Sequence, residues 1–261
     1  MEIAADLQTP KTKKPKTTKP KRSLLYRTGK KLRPWFDGIL AKSSLVGNPP
    51  VFDAATFPWT AELERNWDAI RQEALEVLET QDIPVLPDIS PDHGRLGADR
   101  KWKSFFLYGY GYRVDANCEK APVTAEIASR VPGLNSAFFS ILAPGARIPR
   151  HRGVTKGLIT CHLGVKVPQD RMSVRMAVHD EMVHWQEGKC LVFDDTYHHE
   201  VWNETDETRV VLLVQFERPM RNPGKTVGRL FMGAVRRSPF VQEARRNFLA
   251  WQGAQNRIDG H

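Results

Sequence analysis

The sequence predicts a mainly β protein whose core is a double-stranded β-helix, of the jelly-roll or cupin-like kind, with flanking α-helices. Short β-rich runs follow one another between residues 136 and 218, and glycine, proline and polar residues separate them. The runs are SAFFSIL, GLITCHLGVKV, SVRMAVH, KCLVF, HEVW and RVVLLVQF. Six or more short strands with such spacing are typical of an antiparallel sandwich or barrel.

Helical patterns lie on both sides of this β region. From Pro58 to Thr80 the apolar residues recur at spacings of three and four, which predicts an amphipathic helix that covers a sheet. We expect a second helix near Val123 to Val131 and a helical segment from Val227 to Gln252. Between the first two helices, residues 82–100 predict a loop, and Trp102 to Tyr112 has the aromatic content of a strand.

The length and composition favour one catalytic-sized domain. A chain of 261 residues with 41% hydrophobic residues can form one substantial core plus a short appendage. The sequence divides into a basic tail (residues 1–33), a jelly-roll domain with a helical cover on its N-terminal side (34–225) and a C-terminal helical extension (226–261). It has no apolar run of about 20 residues and no signal-peptide pattern. Its three cysteines form no CxxC pair. We therefore expect a cytoplasmic protein with reduced thiols.

The excess positive charge lies in the tail. Residues 1–33 hold eleven Lys and Arg against Glu2 and Asp6, which leaves 28 residues of each sign in the rest of the chain. Thr9 to Arg22 contains only Lys, Arg, Pro and Thr and should be disordered. Basic and aromatic residues alternate over positions 11–36, as at an anionic membrane surface. The alternatives are a solvated tail whose apolar end packs on the domain, a sorting signal, or, as an unlikely partner, nucleic acid.

Two histidines and one arginine form the candidate site. His151 and His199 stand about fifty positions apart beside predicted strands, and a barrel could turn both inward. Two neutral imidazoles with open coordination positions suit Fe(II) and oxygen better than they suit structural zinc. For each histidine taken alone, a hydrogen-bonded structural role is the more common explanation. Arg209, ten residues after His199, would return to the same cavity across a two-stranded turn, and its planar fork suits a carboxylate.

The segment from Ser140 to Pro219 resembles the aspartyl/asparaginyl β-hydroxylase family, which includes animal peptidyl-aspartate hydroxylases and bacterial lipid A acyl-chain 2-hydroxylases. The matching text is SILAPGARIPRHRG, HLGVKVP, WQEGKCLVFDDTYHHEVWNET and the strand from Arg209 to Pro219. The resemblance implies that His151 and His199 ligate Fe(II). It also implies that Arg209, helped by Ser140, binds the far carboxylate of the cosubstrate 2-oxoglutarate, and that His162 contacts the same molecule.

The chain departs from the pattern of this family in two ways. Gly153 stands where many 2-oxoglutarate oxygenases have a metal-binding aspartate, although the animal peptidyl hydroxylases also have glycine there. We expect Asp194 and Asp195 to cap a turn rather than replace that carboxylate. Thr160 and Leu158 stand where the family or its peptidyl branch has arginines, which removes positive charge from the pocket.

These features predict an Fe(II)- and 2-oxoglutarate-dependent dioxygenase that hydroxylates an unactivated C–H bond. The missing arginines and the basic tail favour a lipid acyl chain at a membrane surface over a peptide substrate, and a protein that is cytoplasmic yet peripheral to the membrane. One alternative is a peptidyl aspartyl or asparaginyl β-hydroxylase. Another is a jelly-roll binding module without catalytic activity, because the carboxylate ligand is missing.

Overall fold

A computed structural model describes residues 24–89, 96 and 99–258 of the chain. The predicted disorder of the Lys-rich tract therefore lies outside the described residues. Within them, no helix is both long and apolar enough to cross a membrane. Cys118, Cys161 and Cys190 are all free thiols, as the sequence predicts.

The β core consists of two antiparallel sheets. The larger has the strand order β1-β9-β6-β11-β4-β2-β3, and the smaller has the order β5-β10-β7-β8. The strands are β1 (Val51–Phe52), β2 (Trp102–Gly109), β3 (Tyr112–Arg113), β4 (Leu134–Leu142), β5 (Ala146–His151), β6 (Leu158–Lys166), β7 (Val174–Val178), β8 (Glu181–Val183), β9 (Cys190–Phe193), β10 (His199–Asn203) and β11 (Arg209–Glu217). The predicted jelly-roll core with flanking helices is confirmed.

Helices lie before, between and after these strands. They are α1 (Leu24–Ser43), α2 (Thr60–Arg65), α3 (Trp67–Thr80), α4 (Leu86–Ile89), α5 (Asp115–Lys120), α6 (Pro122–Ser129), α7 (Gly224–Arg237) and α8 (Pro239–Ile258), with a 3₁₀ turn at Ala54–Thr56. The single helix predicted up to Thr80 is wrong, because Asn66 breaks it into α2 and α3. The Nδ2 of Asn66 donates to the carbonyl of Glu62 and so ends α2.

Three further boundaries differ from the prediction. The predicted loop at 82–100 contains the short helix α4. The helix predicted near Val123 to Val131 corresponds to α6, and a further helix, α5, lies just before it. The C-terminal helical segment is two helices, because Ser238 adopts an extended conformation between α7 and α8. The predicted end of the jelly-roll domain at residue 225 therefore falls just inside α7.

The predicted tail boundary at residue 33 is also wrong, because α1 crosses it. Residues 24–33 are helical rather than part of a disordered tail. Near the end of the helix Leu40 is only 1% exposed, and α1 packs against α7. The alternative in which the apolar end of this segment packs on the domain therefore holds for this part of α1.

The two faces of the large sheet have different neighbours. Its outer face packs against α3 and α6, where Leu212 and Val214 join Ile70 in one apolar cluster. The indole Nε1 of Trp67, at the start of α3, donates to the carbonyl of Gly164 on β6 at 2.8 Å. The inner face packs against the small sheet through a second cluster of buried residues. Since residues two apart on a strand share a face, the inner face carries every second residue of β11, beginning with Arg209.

Candidate active site

His151 and His199 meet on neighbouring strands of the small sheet. His151 ends β5, His199 begins β10, and the two are cross-strand partners. Their ring centroids lie 4.1 Å apart. The Nδ1 of His151 is 2.9 Å from the carbonyl of Pro149, and that of His199 is 3.0 Å from the carbonyl of Tyr197. A carbonyl can only accept, so each Nδ1 carries the proton and the lone pair resides on Nε2, the atom that can ligate a metal.

Burial keeps the imidazole of His199 in the form that can bind a metal. It lowers the pKa of His199 below its usual value, because charging the ring would require water that the site excludes. A metal ligand must be a neutral imidazole. The two rings therefore lie side by side, as a shared metal would require, and their role as ligands stays a prediction.

Arg209 lies on the inner face of the opposite, large sheet. The predicted hairpin between His199 and Arg209 is wrong, because β10 lies in the small sheet and β11 in the large one. The guanidinium is 1% exposed, its Nη1 donates to the carbonyl of Ser140 at 3.4 Å, and its Nε has no partner. Among the described residues it forms no ion pair. Burial lowers the pKa of Arg209 to about 9.

His162 and Trp185 connect Arg209 to the histidine pair. The guanidinium carbon of Arg209 lies 4.7 Å from the ring centre of Trp185, whose Nε1 donates to Nδ1 of His162 at 3.2 Å. The Nε2 of His162 is buried, and no described residue forms a hydrogen bond with it. Phe193 touches both His162 and His199, with ring centroids 5.0 and 5.5 Å away. Burial, followed by the charges of Arg209 and His199, lowers the pKa of His162 well below its usual value.

Ser140 lies beside Arg209 but is already engaged. Its Oγ accepts a hydrogen bond from Nε1 of Trp102 at 3.0 Å. Ser104, its cross-strand partner on β2, is completely buried, and its Oγ has no partner. The residues singled out from the sequence for this site are therefore joined by one series of contacts, which runs from His151 and His199 through Phe193, His162 and Trp185 to Arg209 and Ser140. Ser104 is an additional polar group near them.

The carboxylate of Asp195 occupies the space next to Gly153. A β-carbon on Gly153 would collide with both carboxylate oxygens. Thr160 Oγ1 and Gln215 Nε2 donate to Oδ2 of Asp195 at 3.2 and 3.0 Å, while its Oδ1 is buried without a partner. Burial, together with the neighbouring charge of Asp194, raises the pKa of Asp195 to about 6. A turn-capping role is wrong for this residue.

Asp194 does cap the turn, as predicted. Its Oδ1 accepts from the backbone N–H of Thr196 at 3.0 Å. Its Oδ2 pairs with Lys156 and with the fully buried Arg218, at 2.7 and 2.5 Å. The two consecutive aspartates therefore differ in role, since Asp194 is bonded to two cations and Asp195 to none.

Helix α1 holds the loop that follows His151. Arg33 donates from Nη2 to the carbonyl of Gly153 at 2.5 Å and pairs with Asp37 at 3.2 Å. The other carboxylate oxygen of Asp37 accepts from the backbone N–H of Lys156 at 2.9 Å. Two polar residues one turn apart thus fix both ends of the loop that carries Gly153.

In the described part of the chain, no group of three or more His, Cys, Asp and Glu residues is arranged to hold a metal ion. This agrees with glycine, rather than an acid, at position 153.

Residues 64–219 match the sequence profile of a family described as aspartyl/asparaginyl beta-hydroxylase. That span is more than half of the chain. The protein belongs to this family. It is therefore a hydroxylase, as the sequence predicts.

Relatives of this hydroxylase act on different substrates. It is 42% identical over 219 residues to the ornithine lipid ester-linked acyl 2-hydroxylase of Rhizobium tropici, a match that covers 84% of this chain and 78% of the relative. It is 32% identical over 166 residues to the human aspartyl/asparaginyl beta-hydroxylase, which covers 62% of this chain but only 21% of the human protein. A prolyl-4-hydroxylase from Pseudomonas putida covers 61% of this chain and 99% of its own, with 18% identity and a TM-score of 0.36. That score is too low to carry an argument.

Two residues of the hydroxylase site were missed from the sequence. Trp185 lies inside the quoted motif WQEGK, so the motif contained the signal, but a tryptophan next to polar residues does not show that it will stack on an arginine. Ser104 lies in the aromatic run WKSFFL, where a single serine gives no functional signal. Only the pairing of β2 with β4 brings it opposite Ser140.

Proposed function

We propose that the protein is an Fe(II)- and 2-oxoglutarate-dependent dioxygenase that hydroxylates an unactivated C–H bond in a lipid acyl chain. The observation that carries the proposal is the guanidinium of Arg209, which is buried without a carboxylate partner among the described residues and reaches the histidine pair through Trp185, His162 and Phe193. A buried unpaired cation is costly unless an anion joins it. Bound Fe(II) with 2-oxoglutarate would supply the oxidising power for the hydroxylation.

The histidine pair fits iron. Both Nε2 atoms carry lone pairs, and the backbone carbonyls of Pro149 and Tyr197 fix the orientations of the rings. Two nitrogen ligands leave several coordination positions open, which an oxygen-activating centre needs and a structural zinc site does not. His151 and His199 would therefore hold the metal.

The groups around Arg209 fit a dicarboxylate cosubstrate. The guanidinium can donate to a terminal carboxylate, with Ser140 and Ser104 at its side. His162 accepts from Trp185 on Nδ1, so it carries its proton on the unpartnered Nε2 and can donate it to a second oxygen. Trp185 positions both Arg209 and His162, and it excludes water from one face of the guanidinium.

The pocket charge favours an acyl chain over an acidic peptide side chain. Thr160, at a position where the family normally has an arginine, donates to Asp195 rather than offering a positive charge. An anionic substrate group at this point would meet the carboxylate of Asp195. The relative that shares 42% identity over most of its length is named for an acyl chain of a lipid. We therefore expect this protein to use a lipid substrate.

The membrane surface completes the proposal. The basic tail, over residues 11–36, would bind anionic headgroups from the cytoplasmic side and bring the enzyme to its substrate. Each Lys or Arg near such a surface contributes roughly 1 kcal/mol. Since the second half of this tract lies in α1, whose Arg33 contacts the loop at Gly153, the tail leads directly to the candidate site.

Succinate release tests the reaction. The full chain would be incubated with Fe(II), 2-oxoglutarate and acyl lipids, and compared with His199→Ala and with the control His179→Ala, whose ring is exposed. We expect turnover in the wild type and the control, and none in His199→Ala. Turnover only with an aspartyl peptide would instead support the peptidyl hydroxylase. A complete lack of metal-dependent turnover with both substrate classes would support the non-catalytic module.

A further inference from the structure

Leu213 is a partly exposed leucine in the middle of the central strand β11. Its neighbours Leu212 and Val214, which face the helices, are completely buried. Leu213 faces the other way, on the same side as Arg209 and Val211. A leucine between two sheets should be covered, and Val211 is, so the exposure of Leu213 marks the point where the small sheet no longer covers the large one.

Leu213 belongs to a straight apolar row across the inner face of the large sheet. It is the cross-strand partner of His162 on β6 and of Phe138 on β4, and Phe138 is in turn the partner of Phe106 on β2. Neighbouring strands lie about 4.8 Å apart, so the row extends about 14 Å from His162 to Phe106. The rings of Phe106 and Phe138 are 4.4 Å apart, and Phe248 of α8 lies 6.5 Å from Phe106.

The next row of the sheet is polar. It consists of Ser136, Gln215 and Thr160, which are again cross-strand partners. Gln215 and Thr160 both bind Asp195, and Gln215 also accepts from Asn135. The part of the large sheet around Leu213, here called the cleft, thus has an apolar row on one side and a polar row on the other. This arrangement matches a molecule that has both an alkyl chain and a polar group.

We propose that the row of Leu213, Phe138 and Phe106 binds the alkyl chain of the substrate, with Leu213 next to the carbon that reacts and Phe248 near the far end of the chain. This assignment rests on the proposed function, because the row begins at His162. The row contains no charged side chain, so the acidic residue of a peptide substrate would find no group in it to pair with. Leu213 thus determines whether a chain binds, and Phe248 determines which chain lengths bind best.

Binding of the fluorescent fatty acid cis-parinaric acid to the full chain, without iron or 2-oxoglutarate, tests the assignment. The near-isosteric Leu213→Asn should weaken binding by about tenfold, which corresponds to about 1.4 kcal/mol. Leu213→Trp should abolish binding by filling the cleft. The matched controls Leu230→Asn and Leu230→Trp, at a 72% exposed position on α7, should bind as the wild type does.

The truncation Phe248→Ala gives a second readout that does not require a change at the central strand. Displacement of the probe by octadecanoic acid should weaken in this variant, whereas displacement by decanoic acid should not. Equal effects on both acids, or no effect of any Leu213 variant on the probe, would overturn the assignment. Since this assay contains no metal, the two proposals can fail separately. If succinate release is absent but probe binding still depends on Leu213, the proposed reaction is refuted and the assignment of the cleft is not.

Discussion

The carboxylate of Asp195 fills the space that any side chain on Gly153 would need. In oxygenases with an aspartate at this position, the acid comes from the chain after the first histidine. Here a carboxylate approaches from the turn before His199 instead, held through Oδ2 by Thr160 and Gln215. The sequence therefore cannot regain the usual triad by a single substitution.

Gly153→Asp should destabilise the protein. Inserting side-chain atoms into a filled site costs about 1–3 kcal/mol, which for a chain of this size lowers the melting temperature by about 2–10 °C. The double variant Gly153→Asp/Asp195→Gly should recover most of that loss, because the two positions share one space. Thermal unfolding of the four proteins measures the coupling, and additive losses would contradict the shared space.

The titration of Asp195 should make stability depend on pH. Its pKa is raised from 3.8 to about 6 in the folded state, mainly by burial, so the folded protein binds this proton more tightly than the unfolded chain does. The resulting stabilisation is complete below pH 3.8 and is lost as the pH rises through 6, a change of about 3 kcal/mol.

The free energy of unfolding of Asp195→Asn, relative to that of the wild type, should therefore increase from pH 4.5 to pH 7.5. Urea unfolding of the metal-free proteins at both pH values measures this gain, with Asp180→Asn, whose side chain is 89% exposed, as the control. A difference in unfolding free energy that stays constant with pH would show that Asp195 titrates normally.

Arg209→Met should stabilise the protein while removing its response to 2-oxoglutarate. Replacing a buried charge by an apolar side chain of similar length is often stabilising, by about 1–4 kcal/mol. The wild type should show a rise in melting temperature on adding 2-oxoglutarate with a metal, and the variant should show none. Arg229→Met, at an exposed position of α7, is the matched control. A variant that is less stable and still responds would mean that the guanidinium has a structural role instead.

Arg33→Ala should loosen the loop after His151. The side chain binds the carbonyl of Gly153 directly and orients Asp37, so its loss frees residues 153–156. We expect a several-fold weaker affinity for Fe(II) and faster amide hydrogen exchange in this loop, with Arg65→Ala on α2 as the control. Unchanged exchange at Lys156 would show that α1 does not restrain the loop.

Removal of residues 1–23 should abolish binding to anionic vesicles. Seven of the eleven tail cations precede Leu24, so the truncation removes most of the positive charge of the tail. Because α1 begins at Leu24, this truncation leaves the described helix intact. Sedimentation with phosphatidylserine vesicles at low and high salt measures the effect, and equal sedimentation of both chains would remove the support for a membrane-bound tail.

The sequence predicted those parts of the site that lie in dense local motifs. His199 and Arg209 each begin a strand whose β-rich pattern was visible, and His151 lies in one of the quoted family motifs, so their convergence could be anticipated. The path of the chain from His199 to Arg209 was not predictable, because nothing in these ten residues distinguishes a hairpin from a crossing between the two sheets. That distinction depends on which strands pair, and those partners lie far away in the chain.

The errors in the fold have similar causes. The sequence analysis places no strand between the runs SAFFSIL and GLITCHLGVKV, but β5 (Ala146–His151) lies there, because β10 offers it a pairing edge. The tail boundary was placed by charge alone, yet Arg33 is helical because its guanidinium has acceptors in Gly153 and Asp37. Long-range contacts of this kind leave no pattern in the local sequence.

The imidazoles belong to one sheet and the guanidinium to the other. The distance between them therefore depends on the separation of the two sheets. Val201 on the small sheet and Val211 on the large one belong to the apolar cluster that sets this separation. In an enzyme that binds a dicarboxylate between the imidazoles and the guanidinium, the thickness of this apolar layer would select the length of the diacid. Diacids one carbon longer or shorter would be rejected by the thickness of the sandwich itself, rather than by any group at either end of the molecule.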